Sequence, residues 1–261
     1  MLLLLLIFLL LNSTHTIKIP TTPKTKYYYD SRIHNFGNVG LGGQLNSLLA
    51  PYAITMIDNK CYNSVNIRQL ILSKYNQDFY KKHEKLPKVI DLCCGTGTST
   101  ATNQLGIDTS KHMISKAILD QAKKNQLSLK THTHTHTHTH THTQFLIGNA
   151  ENYGQQDEFD TATIMFAFHE MPNYAHHKII KNAKKITKHD IIIVDISPNY
   201  SPSKLMLSGE PYLLNYKSTI HNILEKHNFS YLEYIPNHVG LWYFSHNQNQ
   251  NQINLTQLFN K

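Results

Sequence analysis

The sequence predicts an α/β fold: a Rossmann-like, mostly parallel seven-stranded sheet with helices on both faces and an N-terminal helical cap. Three observations predict it. Short apolar runs at Val89–Leu92, Leu105–Ile107, Phe145–Ile147, Phe159–Phe166 and Ile191–Val194 have the length and content of strands covered on both faces. Stretches with apolar residues at helical spacing separate most of them, as crossovers between parallel strands require. A glycine turn, Cys93-Cys94-Gly95-Thr96-Gly97, follows the first run, and the second run ends in a carboxylate, Asp108. That pairing is the pattern of a nucleoside-binding βαβ unit.

Composition bounds the class. A chain of 261 residues with 40% hydrophobic content holds one sizeable α/β domain with extras. The formal charge of +8 comes mostly from scattered lysines. No arginine-rich stripe is present and no aromatics interleave with the lysines, which argues against nucleic-acid binding. A basic surface suits an acidic substrate or an anionic membrane face. Three cysteines make no disulfide framework, and no C-x-x-C pair suggests a metal.

In chain order, residues 1–24 read as a signal peptide or N-terminal anchor with a polar lead-in. Leu2 to Leu11 match a signal-peptide core and fall short of the ~18 apolar residues a membrane-spanning helix needs. They imply the secretory pathway, an organelle or membrane association, with a cytoplasmic location as the alternative. Residues 25–84 form the helical cap. Gly37, Gly40, Gly42 and Gly43 read as a loop, Leu45 to Met56 as one helix and Asn66 to Lys82 as another. Residues 85–246 form the α/β domain. Only twelve residues separate Leu92 from Leu105, so a helix of about two turns is expected there. Ser110 caps a helix carrying Met113, Ile114, Ala117 and Ile118. Thr131 to Thr143 alternates Thr with six His and reads as a low-complexity insertion whose histidines bind metals only adventitiously. Ile179, Ile180, Ala183 and Ile186 line one face of a helix, and a further helix spans Tyr212 to Lys226. Tyr231–Ile235 and Val239–Phe244 read as two final strands turned at Pro236-Asn237-His238. Residues 247–261 form a polar tail in which Leu255, Leu258 and Phe259 can dock.

The residues from Lys88 to Ile196 resemble the class I S-adenosylmethionine (SAM) methyltransferases. The family's glycine turn appears as Asp91-Leu92-Cys93-Cys94-Gly95-Thr96-Gly97, and its following acidic phrase as Asp108-Thr109-Ser110-Lys111-His112-Met113. The resemblance implies SAM as cofactor. Gly95 and Gly97 let the amino-acid tail lie on bare backbone, with Cys93 and Thr96 in the same turn. Asp91 organises the ammonium side, and Asp108, followed by Thr109, accepts from both ribose hydroxyls. Met113 packs on the adenine, and Asn149, beside Ala150, accepts from its amine in place of the family's frequent Asp. Phe166 lines the methyl side. Cys93 replaces the turn's first glycine, so a positive φ there carries strain. The resemblance also implies N-terminal helices over the site and a final strand pair with one antiparallel member.

Methyl transfer needs alignment in a water-poor pocket, and a base only when the acceptor starts protonated. His169 is the candidate base, with Glu170 orienting or replacing it. The predicted function is SAM-dependent methyl transfer to a small-molecule or lipid-like acceptor. Two alternatives remain. One is a non-catalytic scaffold on the same fold, favoured if the short first helix or Cys93 blocks the cofactor. The other is an NAD(P)-dependent oxidoreductase, although Thr100 stands where its fingerprint has a third glycine.

Overall fold

The predicted apolar runs pair into one seven-stranded sheet. Its strands are β1 (Val89–Leu92), β2 (Leu105–Asp108), β3 (Gln144–Ile147), β4 (Phe159–Met165), β5 (Thr187–Ile196), β6 (Ser230–Ile235) and β7 (Val239–Ser245). The order is β3-β2-β1-β4-β5-β7-β6, parallel as far as β5, with β7 antiparallel to both neighbours. The computed structural model describes residues 26–101, 104–131, 143–247 and 255–259. The expected targeting segment and all but the ends of the Thr/His insertion lie outside the described residues. Among the described residues, no helix is long and apolar enough to cross a membrane.

The helices are α1 (Gly40–Cys61), α2 (Ile67–His83), α3 (Lys111–Thr131), α4 (Asn173–Ile186), α5 (Lys204–Gly209), α6 (Leu213–Lys226) and α7 (Leu255–Phe259). Alternation along β5 sends Ile191 and Ile193 to one core, with Ile179, Ile180 and Ile186 of α4 and Tyr216 and Ile220 of α6. Ile192 and Val194 join the opposite core, with Ile71, Leu72, Tyr75 and Phe79 of α2 and Phe259 of α7. Each fully buried isoleucine contributes about 2 kcal/mol. The Tyr75 hydroxyl is 2.6 Å from both Thr161 Oγ1 and Asp190 Oδ2, and these buried bonds fix α2 against the sheet. On α3, Ile114 and Ala117 pack on Phe145 and Cys94, and the Ser110 hydroxyl caps the Met113 N–H.

Three expectations are corrected. No helix joins β1 to β2 among the described residues, where 93–101 run as turns and irregular chain. From α2 the Gln69 amide donates to the Thr98 and Ser99 carbonyls, both at 3.3 Å, and holds this segment against the cap. Second, Gly40, Gly42 and Gly43 are not a loop but the first turn of α1. A Cβ on Gly42 would lie 1.8 Å from the Phe36 carbonyl oxygen, so bare backbone lets α1 begin against that segment. Third, the stretch past Pro198, whose Pro202 and Pro211 make the sequence read as irregular, contains α5, capped by the Ser203 hydroxyl on the Met206 N–H.

Candidate active site

Strand order reverses between β1 and β4, where chain connections leave in opposite directions and open a crevice at the carboxyl ends of the strands. A cavity of about 680 Å³ occupies this edge. Cys93, Gly95, Thr96, Asp108, Thr109, Met113, Asn149, Ala150, Phe166, His169 and Glu170 all line it. Leu49, Ile54 and Met56 of α1 line the same cavity, so the cap roofs the site.

The glycine turn and the β2 carboxylate are joined directly. The Gly95 N–H donates to Asp108 Oδ2 at 3.0 Å and the Ser110 N–H to Oδ1 at 2.8 Å. Burial pushes the Asp108 carboxyl up to about 6, against the pull of these two donors. Gly95 has φ 53° and open space where a Cβ would stand. Cys93 sits at φ 63°, so the strain foreseen for a side chain at this position is present. Its side chain lines the cavity and Asp108 is turned toward the bend. A cavity of about 680 Å³ thus remains beside Cys93 and the segment expected to be a short helix.

Two residues expected beside the cofactor are placed elsewhere. Asp91 is fully buried and does not line the cavity. Its carboxylate accepts from the Ser99, Thr100 and Thr163 hydroxyls at 2.8, 2.6 and 3.1 Å, so it braces the turn from beneath. Gly97, at φ 77°, lies against β3, where a Cβ would meet the Phe145 ring at 2.6 Å. Its bareness serves packing rather than ligand approach. Asn149 lines the cavity while its side-chain oxygen accepts from the Glu151 N–H at 2.9 Å.

At the ends of β4 and β5, His169 Nδ1 meets Asp195 Oδ1 at 2.6 Å. Asp195 also accepts from the Phe168 and His169 N–H groups, which fixes the loop after β4. Burial alone would lower the His169 imidazole, but Asp195 overrides it and raises it to about 9. The expected orienting role of Glu170 is corrected. Asp195 orients His169, and Glu170 pairs with His34 of the cap. His34 stands between two carboxylates, with Nε2 3.1 Å from Glu170 and Nδ1 2.9 Å from Glu210. Against its own burial, these neighbours hold its imidazole well above the ordinary value, and burial of Glu170 is outweighed by His34, which keeps that carboxyl low. These three side chains can also hold a metal ion, their ligand atoms lying within 4.8 Å of one another.

Sequence reasoning missed His34, Arg68, Asp195 and Glu210. Only Asp195 carried a local signal, as a carboxylate ending the Ile191–Val194 run in the way Asp108 ends the second. The others meet across long sequence separations.

A reversed-order sheet, a glycine turn held to a strand-end carboxylate and a roofed cavity define a SAM-dependent methyltransferase of class I. The sequence profile described as the ubiE/COQ5 methyltransferase family matches residues 62–234, and the chain belongs to that family. Its cofactor is S-adenosylmethionine. Among solved structures, the fold is similar to that of magnesium protoporphyrin IX methyltransferase (ChlM) from Synechocystis PCC 6803 with bound SAM. Identity is 13% over 86% of this chain and 99% of that one, with a TM-score of 0.55. The PH0226 protein from Pyrococcus horikoshii OT3 matches at 17% identity over 75% of this chain and 98% of its own, with a TM-score of 0.48. No curated protein sequence matches the chain.

Proposed function

We propose that the protein transfers the methyl group of SAM to a small-molecule or lipid-like acceptor held beneath α1. The observation that carries this reading is a single cavity lined both by Asp108 and the glycine turn and by the apolar side chains Leu49, Ile54 and Met56. The residues present fit the cofactor. Asp108 offers an acceptor to a ribose diol, the open face of Gly95 takes an extended tail, and Met113 and Asn149 face an adenine. SAM supplies a methyl group already activated on a sulfonium. The apolar side chains of the roof lower the polarity of the cavity, which favours alignment of a nucleophile with that methyl.

The dehydrogenase alternative loses support from Thr100, which is tied beneath the turn to Asp91 and opens no helix toward a pyrophosphate. For an acceptor that begins protonated, the His169–Asp195 pair acts as the base. Its Nδ1 is engaged, and Nε2 makes no hydrogen bond among the described residues. A ring titrating near 9 is proton-loaded at neutral pH, so it accepts a proton only as pH rises.

A labelled-methyl transfer screen of cell extract identifies the acceptor, and the absence of any labelled small molecule or lipid would overturn the assignment. With an acceptor in hand, turnover should climb with pH toward about 9, and Asp195→Asn should shift that limb to lower pH. A His169→Ala enzyme with unchanged turnover at saturating acceptor removes His169 from the chemistry.

A further inference from the structure

The tail of SAM carries a carboxylate, and the structure lacks the feature that a strand–turn–helix unit ordinarily offers such a group. No helix follows the turn among the described residues, so no helix N-terminus lends positive charge there. One formal cation reaches the same cavity from another element. Arg68, in the first turn of α2, is buried and is the one Arg or Lys among the described residues that line the cavity. Its neighbour Gln69 holds the Thr98 and Ser99 carbonyls of the same turn.

The guanidinium is placed and underused. It lies 4.2 Å from the centroid of the Phe166 ring, at the end of β4, and Phe166 is held at φ 55°. Arg68 lines the same cavity as Cys93, Gly95 and Asp108, which puts it at the crevice. Of its five N–H donors, one bonds within the protein among the described residues, from Nη1 to Asp58 Oδ1 at 3.2 Å. Burial drives the guanidinium below its ordinary value despite Asp58. A buried guanidinium with spare donors facing a cavity is matched by a carboxylate, which takes two of them in parallel.

We infer that Arg68 is the anchor for the α-carboxylate of the cofactor, taking the place of the missing helix N-terminus. This rests on the SAM reading of the pocket and adds to it a residue of α2, an element assigned only to the cap.

Calorimetry on the full chain tests it with two probes, S-adenosylhomocysteine and its decarboxylated analogue 5′-(3-aminopropylthio)-5′-deoxyadenosine. The wild-type protein should prefer S-adenosylhomocysteine by about tenfold or more, the range of a charge-assisted hydrogen bond. Arg68→Met should reduce that preference to near unity while leaving affinity for the analogue largely unchanged. Because Arg68→Met leaves Asp58 buried without its partner, the Asp58→Asn/Arg68→Met pair is made alongside, and it should lose the preference in the same way. Equal wild-type affinity for both probes, or a preference that survives in either variant, overturns the assignment. Failure of wild-type protein to bind either probe would instead count against the SAM pocket itself, taking the anchor with it.

Discussion

Asp108 is both a structural acceptor and a ligand group, and the two roles share one proton equilibrium. Its carboxyl is raised to about 6 because burial outweighs the Gly95 and Ser110 donors. Ribose hydroxyls need the ionised form, so cofactor affinity should hold above pH 6 and weaken below it, by up to about tenfold per pH unit. Titrating S-adenosylhomocysteine from pH 7.5 to 5 checks this, and Asp108→Asn should bind weakly with a flat profile. The strain at Cys93 is also a property of one residue. At φ 63° a β-branched side chain fares worse, so Cys93→Val should cost about 1–3 kcal/mol in denaturant unfolding. Cys93→Gly, free to adopt this φ, should stay within about 1 kcal/mol of wild type.

Among the elements, the two cap helices act differently. α1 reaches the cavity because Gly42 starts it against Phe36 with no side chain between them. Gly42→Ala forces Cβ into backbone that has no flexible end to move, and should cost about 2 kcal/mol or more. Its roof should shift as well, so the variant should lose acceptor turnover beyond what unfolding explains, measured at a temperature where circular dichroism shows it folded. α2 holds a different segment. Its Gln69 amide holds the Thr98 and Ser99 carbonyls of the segment that reads as a short helix, and its Arg68 lines the cavity. Chain length alone could not show this contact, because the amide lies about thirty residues away, on Gln69.

For the whole molecule, buried histidines set stability against pH with opposite signs. His176 is fully buried and its Nε2 donates to the Phe168 carbonyl oxygen at 2.7 Å. Burial lowers it to about 4. A depressed imidazole binds fewer protons folded than unfolded, so the stability tied to it is present above about pH 6.5 and is lost as pH falls toward 4. His169, raised to about 9, behaves in reverse, its contribution being full below about 6.5 and lost as pH rises through 9. Asp108 opposes His176 between about 4 and 6, because a raised carboxyl favours the folded state on acidification. The clean measurement is therefore a difference. The melting temperature of wild type minus that of His176→Asn should decline from pH 7 to pH 4.5, and a constant difference would refute the assignment.

What the amino-acid order determined alone is whatever depends on neighbours within a few residues. Apolar β-branched runs specify strands, and the apolar spacing of Ile179, Ile180, Ala183 and Ile186 specifies a helix face. Gly95 followed by a strand ending in Asp108 specifies the nucleoside turn, because each is a local requirement of backbone geometry and burial. Only the tertiary structure decided which groups share a field and a surface. It tied Asp91 beneath the turn, paired His169 with Asp195, set His34 between Glu170 and Glu210, and put Arg68 at the crevice. Charges and hydrogen bonds act over a few ångströms of space, and no spacing along the chain encodes which distant segments will come within that range.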